Sequence, residues 1–321
     1  MLTLSRRVVK PKSQEIQPEQ KPAMDARPSY LYSDQGNGED RLLRATIPPI
    51  PRDTARAAQS VLGRSNFYLI TGDRLERLFQ GLSAGSSMGE SLRFTRNQVM
   101  LYLITIFQYL ETLPDHLVPG ALHQRLDWKY ALHLPLNYAQ LDAIVLCETR
   151  QQLFTNQREK QYFQVIIHRL ATNVQLPGQP LHNLSADRLI SRVCLFSRVA
   201  KTWDAINQAL EALATFQPEW LLDNSLPYWF ERYDPIHKTI NLSDEDEALV
   251  AHAQTIGQDG AYLLNAIGDA NLAGLRDIPE VIHLNKVWHE QYSQINGITN
   301  WRQASCVGCN LAAQPGSSFP H

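Results

Sequence analysis

The segment Arg125-Leu126-Asp127-Trp128-Lys129-Tyr130-Ala131-Leu132, followed by Val145-Leu146-Cys147-Glu148 and Arg150, decides how the rest of the chain is read. Two large aromatic residues sit here among charges of both signs, inside a helix expected over 119–132. Trp128 and Tyr130 read as packing residues, and Asp127 either caps a turn or pairs with Arg125 or Lys129. The cations have a second reading. Arg125, Lys129 and Arg150, with Arg158, Lys160 and Arg169 downstream, would line a DNA-facing surface. Arg and Lys there contact phosphates for affinity, and base reading needs a helix in the major groove.

Working outward, Val99, Leu103, Ile106, Phe107 and Leu110 fall at helical spacing and predict a central core helix over 95–112, ended by Pro114. Upstream, Asp53 is expected to cap a short helix that stops at Gly63, and Asp73 a second over 74–82. The Ser/Gly-rich stretch 83–91 is a loop. Downstream, helices are expected at 141–154 and 159–171. Pro177, Gly178 and Pro180 mark a linker at 172–182. One long helix follows over 187–216, and shorter ones at about 217–233, 243–267, 271–276 and 279–295. Strand-like alternation is nowhere sustained, so the chain reads as mainly α.

Residues 1–46 are rich in Gln, Glu, Lys, Pro, Asp and Gly and read as a flexible leader, because such a composition buries too little to offset ordering entropy. Pro48, Pro49 and Pro51 impose an extended entry. The stretch 303–321 has no charged residue and reads as a disordered tail. With 321 residues and 44% hydrophobic content, the remainder suffices for one large or two ordinary domains.

The net charge of −2 hides an asymmetry that bears on partners. Residues 1–94 carry 14 Lys/Arg against 10 Asp/Glu, residues 95–201 carry 11 against 7, and residues 202–321 carry 5 against 15. Phosphate contact belongs to the first two thirds, and the acidic last third should avoid it. Four scattered cysteines argue for a reducing compartment without a disulfide framework, and Cys306-x-x-Cys309 has no second ligand pair at zinc spacing. No run approaches the ~18 apolar residues of a membrane span. Arg6, Arg7, Lys10 and Lys12 are followed by no apolar stretch of a secretory signal. The expected location is the cytoplasm, away from membranes.

The opening segment resembles the "R-x-D-W-K-Y-A-L … V-L-x-E-x-R" signature of the InsH-type amino-terminal domain of bacterial insertion-sequence transposases. The likeness extends in order from Ile47 to about Arg302. It includes Ile47-Pro48-Pro49-Ile50-Pro51, Asp53-Thr54-Ala55-Arg56 and Asn66-Phe67-Tyr68-Leu69. It continues through Leu210-Glu211-Ala212-Leu213-Ala214, Pro218-Glu219-Trp220-Leu221, Trp229-Phe230-Glu231-Arg232-Tyr233 and Ile256-Gly257-Gln258-Asp259-Gly260. Val287-Trp288 and Gln291-Tyr292 close it. The resemblance implies a flexible leader (1–46), an InsH-type multi-helix domain (47–171), a linker (172–182), a second helical region at the start of a nuclease core (183–302) and a tail (303–321). It also implies double-stranded DNA, the element's terminal repeats, as partner, with a second copy or an intact transposase as a further one.

Such enzymes hold two Mg²⁺ ions ~4 Å apart between three carboxylates. The first Asp of the family lies in a strand just before the long helix. Registering the chain through Leu210 to Ala214 puts Ser185 there, a neutral hydroxyl, with Asp187 as a weak substitute were the segment a strand. Asp187 is otherwise the expected helix cap. The later Asp and Glu of the family have no counterpart, and Asp244 to Glu247 read as a helix-start charge run. The RNase-H-like core is therefore expected to be incomplete, with no cofactor in this chain although Mg²⁺ serves the intact family. DNA holding without cleavage is expected, as in a truncated or frameshifted element. The alternative is a helical protein–protein module without DNA affinity. Phosphate-binding loops, dinucleotide fingerprints and H-E-x-x-H are absent from the sequence.

Overall fold

A computed structural model describes residues 47–79, 96–139, 141–174, 181–233, 246–270, 272 and 274–302. Contacts divide the chain into Met1–Asn37 and Gly38–His321, and everything described belongs to the second unit. The expected leader, the 83–91 loop, the Pro/Gly part of the linker and the tail with Cys306 and Cys309 lie outside the described residues. The described chain is mainly α: α1 Arg52–Val61, α2 Phe67–Phe79, α3 Arg96–Glu111, α4 Val118–Gln124, α5 Leu126–Ala131, α6 Ala143–Thr155, α7 Gln157–Asn173, α8 Ala186–Phe216, α9 Pro218–Asn224, α10 Trp229–Arg232, α11 Asp246–Asp269 and α12 Pro279–Gln291. A hairpin, β1 Tyr292–Ile295 and β2 Ile298–Trp301, follows α12.

The apolar spacing that predicts a core helix at 95–112 places α3 correctly. Every side chain from Val99 to Gln108 is buried. Its end is closed by Thr112 in the left-handed region (φ 51°), with Leu113 N–H donating to Gln108 O (2.9 Å) ahead of Pro114. Around α3, a first apolar core gathers Leu78, Phe107, Trp128, Leu146, Phe163, Ile167 and the first half of α8 as far as Phe196. A second core begins at Val199 and takes in Trp203, Ile206, Trp229, Ile256, Val281 and Val287. The two cores therefore meet inside α8, a continuous helix of 31 residues and roughly 46 Å.

Several helix starts differ from the sequence reading. The second helix begins at Phe67 because Asn66 caps it, its Oδ1 accepting from Tyr68 N–H at 2.9 Å; Asp73 lies mid-helix and accepts from Tyr130 Oη at 2.6 Å. The expected helix over 119–132 is two, broken at Arg125 (φ −89°, ψ 115°), whose side chain is drawn to Glu111 and Asp127. Ser185, and not Asp187, caps α8: Ser185 Oγ accepts from Arg188 N–H at 3.2 Å.

The hairpin replaces the end of the helix expected over 279–295. Its two-residue turn, Asn296 (φ 53°) and Gly297 (φ 78°), has the twist that joins antiparallel strands. Among the described residues no helix is long and apolar enough to cross a membrane. Cys147 and Cys194 are buried free thiols.

Candidate nucleic-acid interface

The six cations of the sequence reading do not form one surface. Arg125 is half-buried. Its guanidinium pairs with Glu111 and Asp127 and lies over the rings of Tyr68 (5.2 Å) and Trp128 (5.0 Å). Tyr68 Oη and Trp128 Nε1 donate to the same Glu111. Burial and then the Glu111 carboxylate push the Tyr68 hydroxyl well above its ordinary range. Asp127 thus pairs with Arg125, one of its two expected roles, and also accepts from Trp128 N–H at 2.8 Å.

Lys129 is 4% exposed, and its Nζ donates to the carbonyls of His123 (2.8 Å) and Leu136. Burial lowers its pKa, since the ammonium has left water without gaining a carboxylate. Arg150 is fully buried against Asp115 and Gln108. The expectation that Arg125, Lys129 and Arg150 face DNA is thereby corrected: the first is held in an ion-pair cluster and the other two lie in the interior, where a guanidinium or ammonium tolerates burial only with such partners.

The remaining three are on α7. Arg158 is exposed, Lys160 pairs with Asp187 (2.9 Å), and Arg169 donates to Leu78 O (2.8 Å). Ser185 and Asp187 adjoin them at the start of α8, which is helix preceded by a single 3₁₀ turn at Leu181–Asn183, so the two do not share a strand face. A hydroxyl engaged as a cap and one carboxylate held by Lys160 do not fit a pair of Mg²⁺ ions, which need bridging and flanking carboxylates together. Among the described residues no three His, Cys, Asp or Glu side chains converge in a metal-holding group.

Cations that the sequence reading did not single out stand at the surface of α1. Arg52 and Arg56, one turn apart, point outward with Ser60, while Thr54 and Ala58 face in. Arg64 is exposed in the turn behind them. Arginines at i and i+4 alternating with Thr and Ala at i+2 and i+6 were a legible signal of this face. The seat of α1 is the end of the signature segment and the turn that follows it. Thr54 Oγ1 donates to Leu134 O (2.8 Å), Gln59 Nε2 to Tyr130 Oη (3.3 Å), and Ala58 packs with Leu69 and Tyr130. The His133 ring spans Pro48 O (2.5 Å) and Gly72 O (2.9 Å), so the extended Pro48 segment is tied to α2.

A second polar network occupies the acidic half. Arg232 and Tyr233 Oη (2.9 Å) both donate to buried Asp259. Burial and then the Asp259 charge hold the Tyr233 phenol well above its usual pKa. Trp288 Nε1 donates to Gly257 O and Tyr292 Oη to Ala253 O, each at 2.8 Å. Nearby, Trp220, Asn224, Tyr262, Asn265 and Asp269 line an open cleft of about 390 Å³ to which no Lys or Arg contributes. Comparison of the chain with protein-family models, with curated proteins and with solved structures finds no match.

Proposed function

We propose that the chain is the amino-terminal, DNA-holding part of an InsH-type insertion-sequence transposase, and that it holds duplex DNA without cutting it. The observation that carries this reading is spatial. Segments that resemble the family, scattered from residue 47 to 302, meet one another in the folded chain. Tyr68 joins Arg125 and Trp128 around Glu111, Ala55 and Leu69 pack with Tyr130, Arg232 and Tyr233 join Asp259, and Trp288 joins Gly257. Residues kept together by sequence likeness are thus kept together by packing, as expected if the likeness reflects a shared fold.

The charge asymmetry supports duplex DNA, such as an element's terminal repeats, as partner of the basic portion. Cleavage would need three carboxylates about a metal pair, and Ser185 with Asp187 offers one carboxylate already paired with Lys160. In this reading Ser185 and Asp187 hold no metal pair, and Mg²⁺ serves an intact enzyme of the family.

A second reading, a helical protein–protein module that binds another copy or an intact transposase, is favoured by Phe216, Leu222 and Phe230, each about two-thirds exposed at the acidic end. Retention of the purified chain on duplex DNA across a salt series separates the two. DNA holding predicts affinity that falls steeply as salt rises; no retention at low salt rejects it in favour of the module. Metal-dependent nicking by the same preparation would show that the catalytic half of the proposal is wrong.

A further inference from the structure

The geometry points to α1 as the arm that contacts phosphate, with Arg52 and Arg56 as its two contacts and the stretch from Tyr130 to Leu134 as the seat that presents it. This inference rests on the DNA-holding reading. Three of the six cations first considered are consumed internally, Lys160 is paired and Arg169 is turned to a carbonyl, which leaves Arg158 as the exposed one of the six in the α5–α7 region. On α2 the exposed charges Asp73, Arg74, Glu76 and Arg77 balance. On α1 and the turn after it, Arg52, Arg56 and Arg64 face solvent against Asp53 alone.

Arginines one helical turn apart lie ~6 Å from each other along the axis. That reach covers two consecutive phosphates of one strand, spaced ~3.4 Å along the duplex axis. Guanidinium groups can grip phosphate oxygens in pairs, which an ammonium cannot. The inward face of α1 is small, with Thr54 and Ala58 its buried residues, so the helix is placed largely by polar links to Leu134, Tyr130 and, through Pro48, His133. Those links end on Tyr130 and on His133 and Leu134 just beyond the signature segment, so the end of α5 and the turn after it set the position of α1.

The test compares the full chain with Arg52→Gln/Arg56→Gln and Arg52→Lys/Arg56→Lys in binding to a mixed-sequence duplex, followed by fluorescence anisotropy across a salt series. Loss of two phosphate contacts lowers the slope of log K against log salt by about 1.8. The Lys pair should keep that slope while binding more weakly than the Arg pair, and the circular dichroism melt should be unchanged in both. If the wild-type chain binds and the Gln pair keeps its full slope, the arm is wrong while DNA holding stands. If the wild-type chain does not bind at low salt, the functional reading fails and the arm falls with it.

Discussion

Arg150 and Asp115 form an ion pair in which the guanidinium is wholly buried and the carboxylate side chain only 10% exposed. Asp115 Oδ1 also accepts from Gln108 Nε2 at 2.8 Å, and its N–H donates to Ser197 Oγ at 3.2 Å. One residue thus joins α3 and α6 through its carboxylate and α8 through its N–H. Arg150→Met should destabilise the protein by ~3–5 kcal/mol in urea unfolding, since it strands a buried charge. Arg150→Met/Asp115→Leu should recover most of that loss. A single variant of wild-type stability that loses DNA affinity would show that Arg150 is a contact after all.

Gly257 faces Tyr292 so closely that an added Cβ would lie 2.2 Å from Cε1 of the ring. In an open helix Gly→Ala gains about 1 kcal/mol. Here the sign reverses, because overpacking costs ~1–3 kcal/mol. Gly257→Ala should lower the denaturation midpoint, and Tyr292→Leu in that background should restore part of it. A midpoint that rises in Gly257→Ala would contradict the contact.

His252 has its pKa lowered, first by burial and then by the Arg232 guanidinium, against an opposing pull from Asp259. Its Nε2 is buried without a hydrogen-bond partner. The unfolded chain therefore takes up the proton first as pH falls through about 6.5. The contribution of neutral His252 is present above that pH and lost below it. Unfolding midpoints measured from pH 7.5 down to about 5.5 should fall, and less steeply in His252→Gln. Equal slopes in the two proteins would remove His252 from the account.

Gly297 holds φ at 78° in the hairpin turn. A side chain there meets the left-handed penalty of ~1–2 kcal/mol. Gly297→Val should fray the pairing of Ile295 with Ile298, seen as faster amide exchange in the strands with little change in α8. Protection that is the same in both proteins would count against the turn as the hairpin's organiser.

The helical periodicity of α3, the existence of α6 and α7 and the length of α8 were readable because they depend on local spacing. The hairpin was missed although Asn296-Gly297 is a strong turn signal, because strands of four residues carry too little alternation to register. Arg52 and Arg56 were overlooked beside the denser cations of 125–169. Density of charge along a chain does not reveal which charges fold inward.

By itself the sequence determined the helical class, the identity of the core helix and the split between a basic and an acidic portion. These follow from composition and from the turn-by-turn spacing of apolar side chains. Only the tertiary structure decided where the cations went: Arg150 and Lys129 inward, Arg52 and Arg56 outward, Lys160 to Asp187. The reason is that a charge may be buried wherever distant residues supply its partner. For Arg150 that partner is Asp115, 35 residues away and joined to it by folding alone.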